Sequence, residues 1–191
     1  MTRNDWSERW EFIFIWINTS ALVKKNLIME NKNLEDGSWI TGFIDGEGCF
    51  SISFNLREKI NHGIEVRPSF SVSQKRDKDE LNYNALSLIK DFFKGGFIRF
   101  SKNDQTWKYE TRNINNIIEN VIPFFEINEL KTSKRKDFDK FRKVCFLIKS
   151  NHHLSLKGIK EVIEISYSMN IPGRRKYLKD FLLRLLGKVK I

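Results

Sequence analysis

The chain has 191 residues, 34 Lys+Arg against 24 Asp+Glu and a formal charge of +10, enough length for one domain with a proper core and a field that selects polyanions, nucleic acid ahead of anionic membrane. Two cysteines far apart, Cys49 and Cys145, with no Cys-x-x-Cys or Cys/His zinc spacing, argue against a disulfide framework or a structural zinc site and for a reducing, intracellular compartment. The apolar run at residues 10–17 is too short to span a bilayer and Glu8 and Glu11 break its basic lead, so no membrane partner is expected, while the richness in Lys, Asn, Ile and Phe points to an AT-rich, organellar coding sequence.

Residues 1–34 share no period with the rest of the chain and read as an N-terminal extension, ahead of a main domain over 35–171 and a basic C-terminal helix or tail over 172–191. Ile40, Phe43 and Ile44 recur at i, i+3 and i+4, which predicts a helix over 38–46 with Ser38 as N-cap. At Phe50 the period changes to two: Phe50, Ile52 and Phe54 alternate with Ser51, Ser53 and Asn55 in a half-buried strand. A second strand over 64–73 sets Ile64, Val66, Phe70 and Val72 against Glu65, Arg67, Ser69, Ser71 and Ser73, and Pro68 within it calls for an edge or a bulge. Helical spacing returns over 81–93 and ends at Gly95-Gly96. Strands follow over 97–101 and 107–112, joined by a turn at 102–105, and then helices over 114–125, 133–148, 156–169 and 174–186. The adjacent His152 and His153 diverge on any regular element and read as surface or cap residues. The sum is an α+β domain whose antiparallel sheet has one polar face.

That face carries hydroxyls, amides and cations: Ser51, Ser53, Asn55, Arg57, Arg67, Ser69, Ser71, Ser73, Arg99, Lys108 and Arg112, with Lys75 at the end of the second strand. Such residues hydrogen-bond bases and phosphates, and a sheet or ribbon can enter a major groove. An ordinary solvated face would look much the same, so the residues just upstream decide.

Residues 39–48 read Trp-Ile-Thr-Gly-Phe-Ile-Asp-Gly-Glu-Gly. Each glycine inside a helix costs about 1 kcal/mol relative to alanine. Gly42 and Gly46, four apart, share one face, where two such helices could cross with backbones nearly touching; one copy of the pattern then implies a second chain. A helix continuing through Glu47 would place that carboxylate on the apolar stripe, so the expected stop is near Gly46, with Glu47 projecting toward the polar face. Two such carboxylates across a two-fold axis, with water and phosphate oxygens, suit Mg²⁺ in phosphodiester hydrolysis, and Mn²⁺ or Ca²⁺ could take the same positions. The bland alternative is a glycine-rich helix end with a solvated acid.

From Ile40 to Gly48 this segment resembles the LAGLIDADG motif of the homing endonucleases. The resemblance runs from about residue 35 to about residue 170, through Phe70-Ser-Val-Ser-Gln-Lys75, Phe92-Phe-Lys-Gly-Gly-Phe-Ile98, Ile122-Pro-Phe-Phe125 and Leu130-Lys-Thr-Ser-Lys-Arg-Lys-Asp-Phe138, to Met169-Asn170. It implies an αββαββα fold: a saddle of four antiparallel strands over the major groove, backed by helices, with Trp39, Gly42, Asp45 and Gly46 at the interface of a homodimer. By the same resemblance Glu47 and the Gly46 carbonyl bind catalytic metal, Gln74 positions solvent, and Lys134 stabilises charge, Lys131 and Lys136 lying near enough to compete for that role. Glu47 stands where the eponymous motif has aspartate, and Ile40 where it has leucine. The implied activity is a Mg²⁺-dependent, staggered double-strand cut in a long pseudo-palindromic DNA site. The alternatives are an intron maturase that binds intron RNA on the same fold, a catalytically silent regulator, and a basic structural RNA-binding protein, which leaves three glycines around an acid unexplained.

Overall fold

The computed structural model describes residues 37–170 and 174–188, so the expected N-terminal extension lies outside the described residues. The chain divides into two units, residues 1–40 and residues 41–191. In the first, residues 37–40 are helical, with Ile40 buried. Gly37 is already helical, so Ser38 sits inside the helix and is not its N-cap. In the second unit residues 41–47 are helical; the label α1 covers the helical residues 37–47.

Strand β1, Gly48–Leu56, follows α1 with no linker. The helix therefore runs one residue past the expected stop at Gly46, and the strand starts two residues before Phe50. Glu47 continues the stripe by its spacing but lies beyond the buried part of it and is exposed, so the feared burial of its charge does not arise. Gly48 is what permits the direct passage: a Cβ there would lie 2.5 Å from Ile44 Cγ2 and 2.7 Å from the Ile44 carbonyl oxygen, closer than real side chains pack.

Strands β1, β2 (Ile64–Lys75), β3 (Phe97–Ser101) and β4 (Thr106–Thr111) form one four-stranded sheet in the order β1-β2-β4-β3, every pair antiparallel. Pro68 pairs with Ile52 of β1, while the β2–β4 ladder begins only at Phe70. At Pro68 the β4 side of β2 is thus a local edge, and the missing N–H costs no ladder bond there.

Helix α2, Leu81–Phe92, is capped by the Asp77 carboxylate, which accepts from the N–H groups of Leu81 (2.8 Å) and Asn82 (3.1 Å). Helix α3 comprises Ile114–Asn116, a π-helical turn at Ile117–Val121 and Ile122–Ile127. Helices α4 (Lys134–Lys149), α5 (Leu156–Tyr167) and α6 (Lys179–Lys188) complete the order, and α2, α4 and α5 pack on one face of the sheet. Between them lies an aromatic core: the Phe50 ring is 5.1 Å from Phe70, 5.4 Å from Phe125, 5.3 Å from Phe138 and 5.4 Å from Phe141. All five are buried, each contributing about 1.5–3 kcal/mol by leaving water.

The last helix begins at Lys179, not at residue 174 as its spacing suggested. Residues 174–178 are a strap instead, because Arg175 is drawn inward: its guanidinium donates to the carbonyls of Ile52 (3.0 Å), Ser166 (2.6 Å) and Met169 (2.8 Å). Those carbonyls belong to the open edge of β1 and to the C-terminal end of α5, where acceptors lack partners within their own element. Asn170 Nδ2 covers the neighbouring edge carbonyl, that of Phe50, at 2.7 Å. Among the described residues no helix is long and apolar enough to cross a membrane.

Candidate functional site

The end of α1, the far end of β2 and the start of α4 meet at one corner. Asp45, in the last turn of α1, accepts from the N–H of Lys131 (2.8 Å), the N–H of Thr132 (3.1 Å) and the hydroxyl of Thr132 (2.6 Å). Thr132 Oγ1 in turn accepts from the N–H of Lys134 at 3.2 Å. The loop is thereby shaped so that α4 starts with Lys134 facing the motif. Lys134 Nζ donates to the carbonyls of Gly48 (2.5 Å) and Gly46 (3.3 Å), a cation placed where the helix dipole is negative. Of the three competing lysines, it is the one whose side-chain ammonium bonds to the motif; Lys131 reaches it through its backbone N–H, and Lys131 and Lys136 are exposed. Burial pushes the Asp45 carboxyl up, but the bonds from Thr132 and Lys131 and the charge of Lys134 outweigh it and hold the group below the usual carboxylate range.

Glu47 is exposed at this corner, as is Gly46. Gln74 is half-buried and pairs with Trp107; it lies two residues past Val72, which faces Gly48 in the last pair of the β1–β2 ladder. Gln74 consequently lies on the segment of β2 that runs on past the start of β1. The donors available to a hard divalent cation are the Glu47 carboxylate and the Gly46 carbonyl, whose oxygen has a second lone pair beside the one Lys134 occupies. Oxygen donors fit such an ion in kind. Among the described residues no group of three His, Cys, Asp or Glu side chains could complete a site within this chain.

On α1 itself, Gly42 and Gly46 are exposed, and a Cβ built at either meets nothing within 4 Å among the described residues. Trp39 is 43% exposed.

The sheet face away from the core holds the expected polar residues in register: Ser51 opposite Ser69, Ser53 opposite Arg67, Asn55 opposite Glu65, and Ser73 opposite Lys108, which itself faces Arg99. Ser53, Arg57, Lys75, Arg99 and Arg112 are exposed, and Ser51, Asn55, Arg67, Ser73 and Lys108 are half-buried. Ser69 and Ser71 are not open to a ligand: they are 6% and 4% exposed, because they lie in the middle of the face with Glu110 beside them. Glu110 is the residue that sequence reasoning passed over. Its carboxylate, 2% exposed, accepts from Ser69 Oγ at 2.6 Å and Arg112 Nη2 at 3.0 Å, with Lys108 Nζ at 3.5 Å. Burial opposes the charge, but Ser69, Lys108 and Arg112 prevail and hold the carboxyl below its usual range. A buried acid thus fixes two cations of the polar face in place. Alternation with Tyr109 marked Glu110 as facing that side, but nothing in the sequence marked it as the hub.

The family model described as "LAGLIDADG endonuclease" matches residues 40–145. A protein of Neurospora crassa named "Probable intron-encoded endonuclease 2" is 33% identical over 72% of this chain, and the chain spans 28% of that relative's length. Among solved structures, the archaeal intron-encoded homing endonuclease I-Vdi141I, complexed with DNA, superposes with a TM-score of 0.72 at 27% identity, over 82% of this chain and 97% of the other. The I-LtrWI LAGLIDADG homing endonuclease, bound to target DNA, gives 0.70 at 32% identity, over 76% of this chain and 48% of the other.

Proposed function

The chain belongs to the LAGLIDADG endonuclease family, and on that premise we propose that it is a site-specific homing endonuclease, acting as a homodimer on a long pseudo-palindromic DNA site and leaving a staggered double-strand break. The observation that carries this reading is the exposed Glu47 at the end of a helix whose Gly42 and Gly46 stand open in the described structure. Two copies crossing at those glycines bring two Glu47 carboxylates together, each beside a Gly46 carbonyl. Glu47 and Gly46 would hold Mg²⁺, or Mn²⁺ or Ca²⁺ in its place, which supplies an activated water and stabilises the leaving oxygen. Lys134 holds the end of α1 through the two carbonyls and keeps a positive charge where the phosphate acquires negative charge. Gln74, on the overhanging end of β2, orients solvent. The exposed cations and hydroxyls of the sheet face supply contacts to phosphates and base edges.

Two structural neighbours were solved with DNA, which favours duplex DNA as the substrate; no observation of this chain favours intron RNA. Kinship with intron-encoded proteins and the AT-rich composition support an organellar site of action. Glu47→Gln keeps the shape of the side chain and removes its charge. Gel-shift and cleavage assays on sites selected from a randomised duplex library should find the variant binding as the parent does and cutting nothing with Mg²⁺. Persistent Mg²⁺-dependent cleavage by Glu47→Gln would refute the assignment.

A further inference from the structure

The basic strap at residues 174–178 is outside both the catalytic corner and the sheet, yet it shares a groove with the sheet's polar face. Cys49, Ser51 and Ser53 of β1 line one side of that groove, and Arg174, Lys176 and Tyr177 line the other. From these neighbours we propose that the strap is a second DNA contact, taking phosphodiester groups of the strand that runs along the outer edge of β1.

Three observations converge. The first is rigidity. Arg175 bonds to three backbone carbonyls, its Cζ lies 5.1 Å from the centre of the Tyr167 ring, and the Tyr167 hydroxyl donates to the Tyr177 carbonyl at 2.6 Å. A strap pinned at residues 175 and 177 loses little further entropy on binding. The second is alternation. Arg175 is half-buried and turned to the protein, and Arg174 and Lys176 on either side of it are exposed. Among the described residues neither is in an ion pair, whereas Lys143, Arg142 and Lys179 elsewhere on the surface are matched to Glu161, Glu126 and Glu164. Two cations without acids are thus displayed side by side. The third is position. Strand β1 is an edge of the sheet, and an edge strand lying along a major groove has the groove's phosphate wall beyond it. The cations lie on that outer side, placed to neutralise the wall. Phosphate contacts of this kind set orientation and affinity and carry no sequence information.

The inference rests on the DNA-binding reading above, and its test separates the two. Each phosphate neutralised contributes about 0.9 to the slope of log K against log salt concentration. Binding to a random-sequence duplex, measured without divalent ions over a range of salt, should show a slope for Arg174→Gln/Lys176→Gln shallower than wild type by about 1.8 per chain. Affinity should fall about tenfold or more and by the same factor on every sequence, with an unchanged melting temperature. Arg175→Ala, which leaves both cations but unpins them, should weaken binding as well, and Arg175→Lys should restore part of it. A wild-type chain that binds duplex with a slope equal to that of the double variant overturns the strap alone. A wild-type chain with no salt-dependent affinity for duplex overturns the nuclease reading and the strap with it.

Discussion

Alanine placed in turn at Gly42, Gly46 and Gly48 separates two reasons for glycine in the motif. At Gly42 and Gly46 the new methyl meets nothing within 4 Å among the described residues. In the separated chain, alanine at Gly42 therefore regains helix propensity of about 0.8–1.0 kcal/mol. In a domain of this size that raises the melting temperature by about 2–4 °C. At Gly48 the methyl would sit 2.5 Å from Ile44 Cγ2 and 2.7 Å from the Ile44 oxygen, and overpacking of that kind costs about 1–3 kcal/mol. The signs are opposite for the same substitution six residues apart. In the proposed dimer the benefit at Gly42 would be reversed: two methyl groups would enter a crossing that needs close backbones, and a loss of about 2 kcal/mol per dimer would raise the dissociation constant about thirtyfold. Sedimentation equilibrium for the dimer, with thermal melts over a wide concentration range, reads both effects. A Gly42→Ala chain that is more stable at every concentration and dimerises as before would refute the interface. One that is less stable in the monomer regime would refute the open face.

Asp45→Asn should lower stability at neutral pH by about 1–2 kcal/mol, the low end for charge-assisted hydrogen bonds because the group is only half-buried. The folded carboxyl is held below its unfolded value, so the stabilisation is present above about pH 4 and is lost as the pH falls through the folded value. Urea titrations of variant and wild type should accordingly differ at pH 7 and converge in strong acid; a gap that widens on acidification contradicts the assignment. Lys134→Met keeps the stem and removes the cation, and single-turnover cleavage should slow by about 10²–10³ while DNA affinity changes only a few-fold; an unchanged rate excludes Lys134 from the chemistry. Phe50→Ala, at the centre of the aromatic cluster, should cost about 3–5 kcal/mol in denaturant unfolding, and a loss under 1 kcal/mol would show that the ring is not a core element.

Periodicity in the chain was sufficient for most of the framework. Phe50, Ile52 and Phe54 alternate with polar neighbours, and the structure buries all three; Lys134 was named from the resemblance alone, and the fold hydrogen-bonds its ammonium to carbonyls at the end of α1. The misses at the strap and at the two serines both turn on contacts across the fold. Arg174–Leu186 has helical spacing, but the carbonyls of Ile52, Ser166 and Met169 hold Arg175 in a non-helical strap, and the first of them is 123 residues away, where no local pattern points to it. Ser69 and Ser71 have the parity of contact residues, but cross-strand neighbours bury them.

By itself, then, the sequence determined what local interactions govern: the alternation of the strands, the apolar stripe of α1, the glycines and the acid of the motif, and the basic charge. Tertiary structure alone decided where hydrogen bonds over long sequence distances went. It set Asp45 on the loop before α4, Lys134 on the carbonyls of Gly46 and Gly48, Ser69 on the Glu110 carboxylate, and Arg175 on the edge of β1. A hydrogen-bond donor is compatible with many acceptors, and only the fold makes one of them near.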